Sequence, residues 1–200
     1  MDLVLASGNA GKLAELRELL GDSGLTLRAQ SDFGIGDAEE TGATFVENAL
    51  IKARHAARQT GCAALGDDSG LCVDALGGAP GLYSARYGGA HGDADRNTAR
   101  LLAEMRGIPE DRRGASFYCV LVLLRRADDP QPLIAEGEWR GTILEAPRGT
   151  RGFGYDPVFL DPENACSAAE LDPTVKNQIS HRGRALAALK QRLSGFPCAA

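Results

Sequence analysis

The chain has 200 residues, a net charge of −5, and hydrophobic and charged fractions of 44% and 24%, an ordinary globular composition with room for one domain and a full core. The negative balance and the lack of a basic block argue against a protein whose task is to grip a nucleic-acid backbone. The longest apolar run, Phe117 to Leu124, is far too short to span a bilayer, and no basic region followed by an apolar stretch marks the start, so no signal peptide is expected.

Leu3 to Ala6 reads as a short buried strand. Ser7-Gly8-Asn9-Ala10-Gly11-Lys12 follows as a turn, built from residues that tolerate unusual backbone angles. Leu13, Leu16, Leu19 and Leu20 then recur at helical spacing. A small polar turn opening a helix offers unpaired backbone N–H groups, and Lys12 stands beside them, so the stretch reads as an anion site suited to phosphate. It is not a Walker A loop: Gly8 and Gly11 are too close together, and Leu13 stands where a hydroxyl would hold magnesium. If a metal takes part, its ligands come from elsewhere in the chain.

Leu25 to Leu27 reads as a second strand. Residues 31–42 form a polar loop with Asp37, Glu39 and Glu40. Thr44-Phe45-Val46-Glu47 matches a capping box and predicts a helix from Phe45 to about Gln59. Its apolar side includes Phe45, Ala49, Ala53 and Ala56, and Asn48 and Lys52 lie one turn apart on it. Ala63 to Gly66 then leads into Asp67-Asp68-Ser69-Gly70. Two adjacent acids between apolar segments are costly to bury unless a charge or metal answers them. In extended backbone they point opposite ways; the alternative is an ordinary turn that uses Asp-Ser-Gly.

Gly77 to Gly89 is a glycine-rich loop whose Tyr83, Arg86 and Tyr87 are placed to meet a ligand or a second subunit. Asp95 is expected to cap a helix running to Met105. Ala115 to Leu124 reads as a central strand, apolar on both faces, and 133–139 and 141–145 as two further antiparallel strands. Arg148 to Pro157 combines arginines, glycines, aromatics and an acid: Phe153 can stack on a flat base and Asp156 can accept hydrogen bonds from it. Val158 to Leu160 resumes strand character. Asp172-Pro173 opens a short helix that carries Lys176. Ser180-His181-Arg182-Gly183 precedes a last helix with Leu186, Leu189 and Leu193 inward, and the tail from Gly195 is expected to be loose.

The five cysteines, Cys62, Cys72, Cys119, Cys166 and Cys198, show no CxxC spacing and read as free thiols in a reducing compartment, with the cytoplasm as the default. His55, His91 and His181 lack metal-ligand spacing, which argues against a zinc site. Early alternation of strands and helices, then clustered strands, predicts an α/β fold with a mixed sheet. Cleaving a phosphoanhydride calls for cations and N–H donors on the phosphates, carboxylates for Mg²⁺, and a carboxylate to position water. The candidate stretches supply those parts for nucleoside triphosphate hydrolysis.

Ser7-Gly8-Asn9-Ala10-Gly11-Lys12, Glu40-Thr41-Gly42-Ala43-Thr44-Phe45 with Glu47-Asn48-Ala49, Asp67-Asp68-Ser69-Gly70-Leu71, Gly152-Phe153-Gly154-Tyr155-Asp156-Pro157 and Ser180-His181-Arg182 together resemble the inosine triphosphate pyrophosphatase family, over about Met1 to Leu193. The resemblance implies hydrolysis of dITP, ITP and XTP or dXTP to the monophosphate and pyrophosphate, which clears deaminated purines from the nucleotide pool. It implies Mg²⁺, a homodimer, and neither a nucleic-acid nor a membrane partner. It implies an elongated mixed sheet flanked by helices, in two lobes around an active-site cleft, as a single domain over 1–194 with a tail over 195–200. Carried over, Ser7, Gly8, Asn9, Ala10, Gly11 and Lys12 hold the triphosphate. Asp68 activates water and approaches the metal, with Glu39 or Glu40 as a further ligand, and Ser69 touches substrate. Phe153, Gly154, Tyr155, Asp156, Lys176, His181 and Arg182 line the base and sugar pocket, where a donor such as Lys176 or Arg182 would favour the 6-oxo group of hypoxanthine and xanthine. Two other readings remain: a pyrophosphatase for other nucleotides, and a nucleotide-binding regulatory module without turnover.

Overall fold

The computed structural model describes residues 2–20, 26–90 and 92–193. The expected loose tail, His91 and Leu25 lie outside them. Seven strands hydrogen-bond in the order β2-β1-β3-β4-β5-β6-β7: β1 (Asp2–Ala6), β2 (Thr26–Ala29), β3 (Ala63–Val73), β4 (Gly114–Leu124), β5 (Leu133–Ile143), β6 (Phe159–Asp161) and β7 (Cys166–Ser167). β1 runs parallel to β2 and β3, and β6 antiparallel to β5 and β7, so the sheet is mixed, as expected. The helices are α1 (Ala10–Leu20), α2 (Phe45–Thr60), α3 (Ala94–Glu104), α4 (Pro173–Ile179) and α5 (His181–Leu193). No helix among the described residues is long and apolar enough to cross a membrane.

The chain divides into two compact units whose boundaries fall within β3, β4 and β5 and between α4 and α5. The first comprises Met1–Asp68, Cys119–Gly137 and His181–Ala200; the second comprises Ser69–Tyr118 and Glu138–Ser180. In the first unit the strand alternation sorts side chains onto two faces. Leu3 and Leu5 of β1 and Leu65 of β3 join Leu16 and Leu20 of α1 and Leu186 and Leu189 of α5. Val4, Ala6 and Ala64 face the other way and join Ala56 and Ala57 of α2. Helices thus cover both faces of β1, which explains why its residues read as one apolar run rather than an alternating one.

The second unit packs around aromatic side chains. Phe117 and Phe159 have ring centroids 4.6 Å apart, and Trp139 and Phe159 4.9 Å. The indole N–H of Trp139 donates to Asp161 at 2.8 Å, which satisfies both groups in the core.

Several elements depart from the sequence reading. For Asp67-Asp68-Ser69-Gly70 the extended reading holds and the turn alternative does not, and the strand is longer than expected: β3 runs unbroken through all four residues. The two strands expected over 133–145 are one, β5. Gly141 within it marks a close approach, because a Cβ there would sit 2.3 Å from the Leu160 carbonyl oxygen. Asp93, not Asp95, caps α3, its carboxylate accepting the Arg96 N–H. Helix α1 begins at Ala10, so Gly11 and Lys12 belong to its first turn. β7 has only two residues, too few to carry a periodicity in the sequence.

Candidate active site

Every charged contact of the Asp67-Asp68 pair described here is made inside the first unit. The two acids follow the faces set by β3. Asp67 lies on the Leu65 side and is fully buried. Its Oδ1 accepts from Lys12 Nζ at 2.5 Å and its Oδ2 from Arg182 Nε at 2.9 Å. Arg182 also donates to Glu15 of α1. Burial disfavours the charge on Asp67, but the Lys12 ammonium and the Arg182 guanidinium outweigh it and hold the carboxyl well below the usual range. The Cys119 thiol lies 3.8 Å from Asp67 Oδ2. Burial and then that carboxylate push the thiol up, so it stays protonated and is no nucleophile.

Asp68 lies on the opposite, Gly66 side. Its Oδ1 accepts from Lys52 Nζ at 2.7 Å, and Lys52 also donates to Glu40 at 2.9 Å. Burial raises the Asp68 pKa above the ordinary carboxylate value, and Lys52 offsets this only in part. Burial likewise works against the Lys52 charge, but Asp68 and Glu40 prevail and its pKa is raised. Two neighbouring aspartates are therefore driven in opposite directions by what each face of the strand meets.

Local packing places these groups. Gly66 lets α2 press on β3: a Cβ there would lie 2.0 Å from the Ala49 carbonyl oxygen. That contact puts Lys52, one turn beyond Asn48, over Asp68. The loop that carries Glu40 is pinned to the start of α2, where the Gly42 N–H donates to Asn48 Oδ1 at 2.8 Å and the Ala43 N–H to Glu47 at 2.8 Å. Thr44 caps the helix and closes the expected capping box with Glu47.

The Ser7–Asn9 turn is open to solvent at Gly8 and Asn9. Asn9 Oδ1 accepts the Lys12 N–H at 3.1 Å and so caps the first turn of α1. The Asp37 carboxylate, held by Gln30, lies 3.1 Å from where a Cβ on Gly8 would stand. An ammonium has three donors, so the bond to Asp67 orients Lys12 without exhausting it.

Asp68 Oδ2 is buried and has no hydrogen-bond partner among the described residues. A bare buried carboxylate oxygen is costly. It suits a hard divalent cation, which takes one or two carboxylates together with water and phosphate oxygens rather than a full protein cage. Glu40 is the neighbouring acid that shares Lys52, whereas Glu39 is exposed. Among the described residues no three His, Cys, Asp or Glu side chains form a metal-ligand group. Asp68 with Glu40 is thus the donor set this unit offers.

The second unit holds the other set. Lys176 of α4 donates to Asp156 Oδ2 at 2.7 Å, the same oxygen accepts the Phe153 N–H at 2.8 Å, and the ammonium lies 5.4 Å from the Phe153 ring centroid. Gly152 must lack a side chain, since a Cβ would fall 2.0 Å from Asp156 Oδ2, and its φ is +75°. Phe153 is 39% exposed, so its ring offers a face on which a ligand can stack. Gly154 adjoins it at a φ of +63°. Tyr155 is buried and Ser69 half-buried, while His181 and Arg182, at the start of α5, are buried in the first unit.

The sequence reading assigns no role to Lys52 or Glu15, and it offers Asp67 only as a candidate acid without naming the cations that answer it. For Lys52 the signal was present: residues 48, 49, 52, 53, 56 and 57 form the buried stripe of α2, and a lysine inside an alanine stripe needs a buried anion. Glu15 carried no such mark.

A model of the Ham1 family matches residues 3–192. The chain is 64% identical over 191 residues to a dITP/XTP pyrophosphatase of Xanthomonas campestris pv. campestris, covering 96% of each chain. Among solved structures it resembles a HAM1 protein from Coxiella burnetii at a TM-score of 0.90 and 50% identity, covering 98% of this chain and 99% of that one. It also resembles a nucleoside-triphosphatase, dITP/XTP pyrophosphatase, from Mycobacterium abscessus at a TM-score of 0.76 and 47% identity, covering 96% and 100%.

Proposed function

The chain belongs to the Ham1 family, and from there we propose that it hydrolyses dITP, ITP and XTP to the nucleoside monophosphate and pyrophosphate. The observation that carries the reading is the Asp68 carboxylate: one oxygen is fixed on Lys52 and the other is buried with no hydrogen-bond partner among the described residues. A base that orients water and a ligand for a cation both need such an oxygen.

Lys12 and the first-turn N–H groups of α1 bind the triphosphate. Asp68 orients the attacking water and accepts its proton, and Lys52 keeps Asp68 ionised against the cost of burial. Mg²⁺, when held by Asp68 and Glu40, would neutralise phosphate charge and acidify water. Asp67 works one step back, keeping Lys12 and Arg182 in place. We assign the base to Phe153 by stacking and to Lys176 by donation to the 6-oxo group that hypoxanthine and xanthine carry in place of the adenine amine. His181, Arg182, Ser69 and Gly154 complete the proposed substrate contacts, while Tyr155, read from the sequence as a pocket residue, is buried and would shape the pocket rather than touch the substrate. We further propose a single catalytic domain over 1–194, a homodimer, and a cytoplasmic location, which the free thiols of Cys62, Cys72, Cys119 and Cys166 favour.

The test is pyrophosphate release with Mg²⁺ from dITP and XTP against dATP and dGTP, with Asp68→Asn as control. Release confined to the deaminated purines and abolished in the variant is expected. Equal turnover of all four would refute the base assignment, and turnover without added divalent cation would refute the metal.

A further inference from the structure

The glycine-rich loop between β3 and α3 has no part in the chemistry above, yet it is fixed at its centre. The 3-10 turn Gly81–Arg86 carries Ser84. The Ser84 hydroxyl accepts the Leu71 N–H of β3 at 2.9 Å and donates to the Gly81 carbonyl at 2.6 Å. Its carbonyl oxygen accepts the Tyr155 hydroxyl at 2.9 Å. One residue thus joins the strand that carries Ser69, two positions before Leu71, to the turn that carries Phe153 and Asp156. The far end of the loop is clamped by Asn97 of α3, which accepts the Gly88 N–H at 2.5 Å and donates to the Ala85 carbonyl at 3.3 Å. Gly88 lies against α3, where a Cβ would fall 2.6 Å from the Arg96 carbonyl carbon. With both ends of the turn held, the Ser84 carbonyl is a fixed point.

Tyr155 does not present its hydroxyl to a ligand. It is 4% exposed and its O–H is committed to that carbonyl. The residue following it is Asp156, which holds both the Phe153 N–H and Lys176. Fixing Tyr155 therefore fixes the frame in which the Phe153 ring and the Lys176 ammonium stand.

We propose that Ser84 is a positioning residue for nucleobase recognition, tying the base-reading turn to β3 through its carbonyl bond to Tyr155 and its hydroxyl bond to Leu71. The inference rests on the assignment of Phe153, Asp156 and Lys176 to the base. Because the tie serves the base and not the phosphates, it acts on KM and on selectivity between bases rather than on the chemical step.

The experiment compares Ser84→Ala, Ser84→Thr and Tyr155→Phe with the parent protein, measuring kcat and KM for dITP and dATP and the Ki of inorganic triphosphate, which has no base. Ser84→Ala and Tyr155→Phe should each raise KM for dITP about five-fold, the size of one lost hydrogen bond, and lower dITP selectivity over dATP. The Ki of triphosphate should hold, and Ser84→Thr, which keeps the hydroxyl, should restore KM. Unchanged KM in both variants overturns the proposal, as does a triphosphate Ki that rises in step with KM, because that marks general loosening. Phe153→Ala separates the two readings: if it changes selectivity and the Ser84 and Tyr155 variants do not, only the tie is wrong. If it too leaves selectivity untouched, the base assignment fails and the tie with it.

Discussion

Each unit buries a lysine–aspartate pair with the ammonium 2.7 Å from a carboxylate oxygen, and the two pairs are finished differently. In the first unit Lys52 takes one oxygen of Asp68 and leaves the other bare. In the second, a single oxygen of Asp156 takes both Lys176 and the Phe153 N–H, so the pair shapes a turn. The difference separates a pair built to exchange a ligand from one built to hold a surface. A buried oxygen without a hydrogen bond calls for a physical reason, which the proposed cation would supply, whereas a carboxylate that braces backbone fixes the groups around it.

Four outcomes would sharpen or break that contrast. The largest effect is expected from Asp68→Asn, which should lower kcat by about 10²–10⁴-fold while the melting temperature falls only modestly, because Lys52 keeps Glu40 as a charged partner. Normal turnover would end the comparison. Next, Lys52→Met strands Asp68 as an unpaired buried charge and should cost about 3–5 kcal/mol of stability by urea titration, along with most of the activity. A stable, active variant would mean that Lys52 does not support Asp68. Third, Phe153→Ala should raise KM for dITP about tenfold, since stacking on an aromatic ring is worth about 1–3 kcal/mol per base, with stability almost unchanged at so exposed a position. A fall in kcat instead would place Phe153 in the chemistry.

The smallest effect concerns a third pair, Arg125–Asp129 at 2.6 Å, in the link between β4 and β5. The Arg125 side-chain hydrogen bond holds the Asp129 carboxyl well below the usual range. A depressed carboxyl contributes its full stability above the unfolded value of about 3.9 and loses it as the pH falls toward the folded one. Asp129→Asn should therefore lower stability at pH 7 slightly and make it flatter between pH 4 and pH 2 than in the parent. An identical acid profile in both proteins would show that the pair is inert.

The sequence made the strand-and-helix order legible wherever periodicity and caps agreed. Helix α2 was readable from Thr44 and Glu47, and the opposite aims of Asp67 and Asp68 followed from strand geometry. Other features were illegible for physical reasons. Gly141 reads as a break in a strand until Leu160 is known to lie against it. Asp93 and Asp95 are equally good caps on paper, and only the backbone chooses. Asp-Ser-Gly favours turns locally, and its place within β3, which neighbours β4 in the sheet, overrides that preference. Glu15 and Ser84 matter through partners more than a hundred residues and about seventy residues away in the chain, which no local pattern encodes.

Gly66 has a consequence for how this protein tolerates change. It has no functional group, and its value lies in the atom it lacks: Ala49 occupies the space where a methyl would go. Any replacement must push α2 outward and draw Lys52 off Asp68, even in a protein that still folds. A scan of every single substitution, scored by survival on a mutagenic purine diet, would therefore rank Gly66 beside Asp68, and a reader of that scan alone would mistake a spacer for a catalyst.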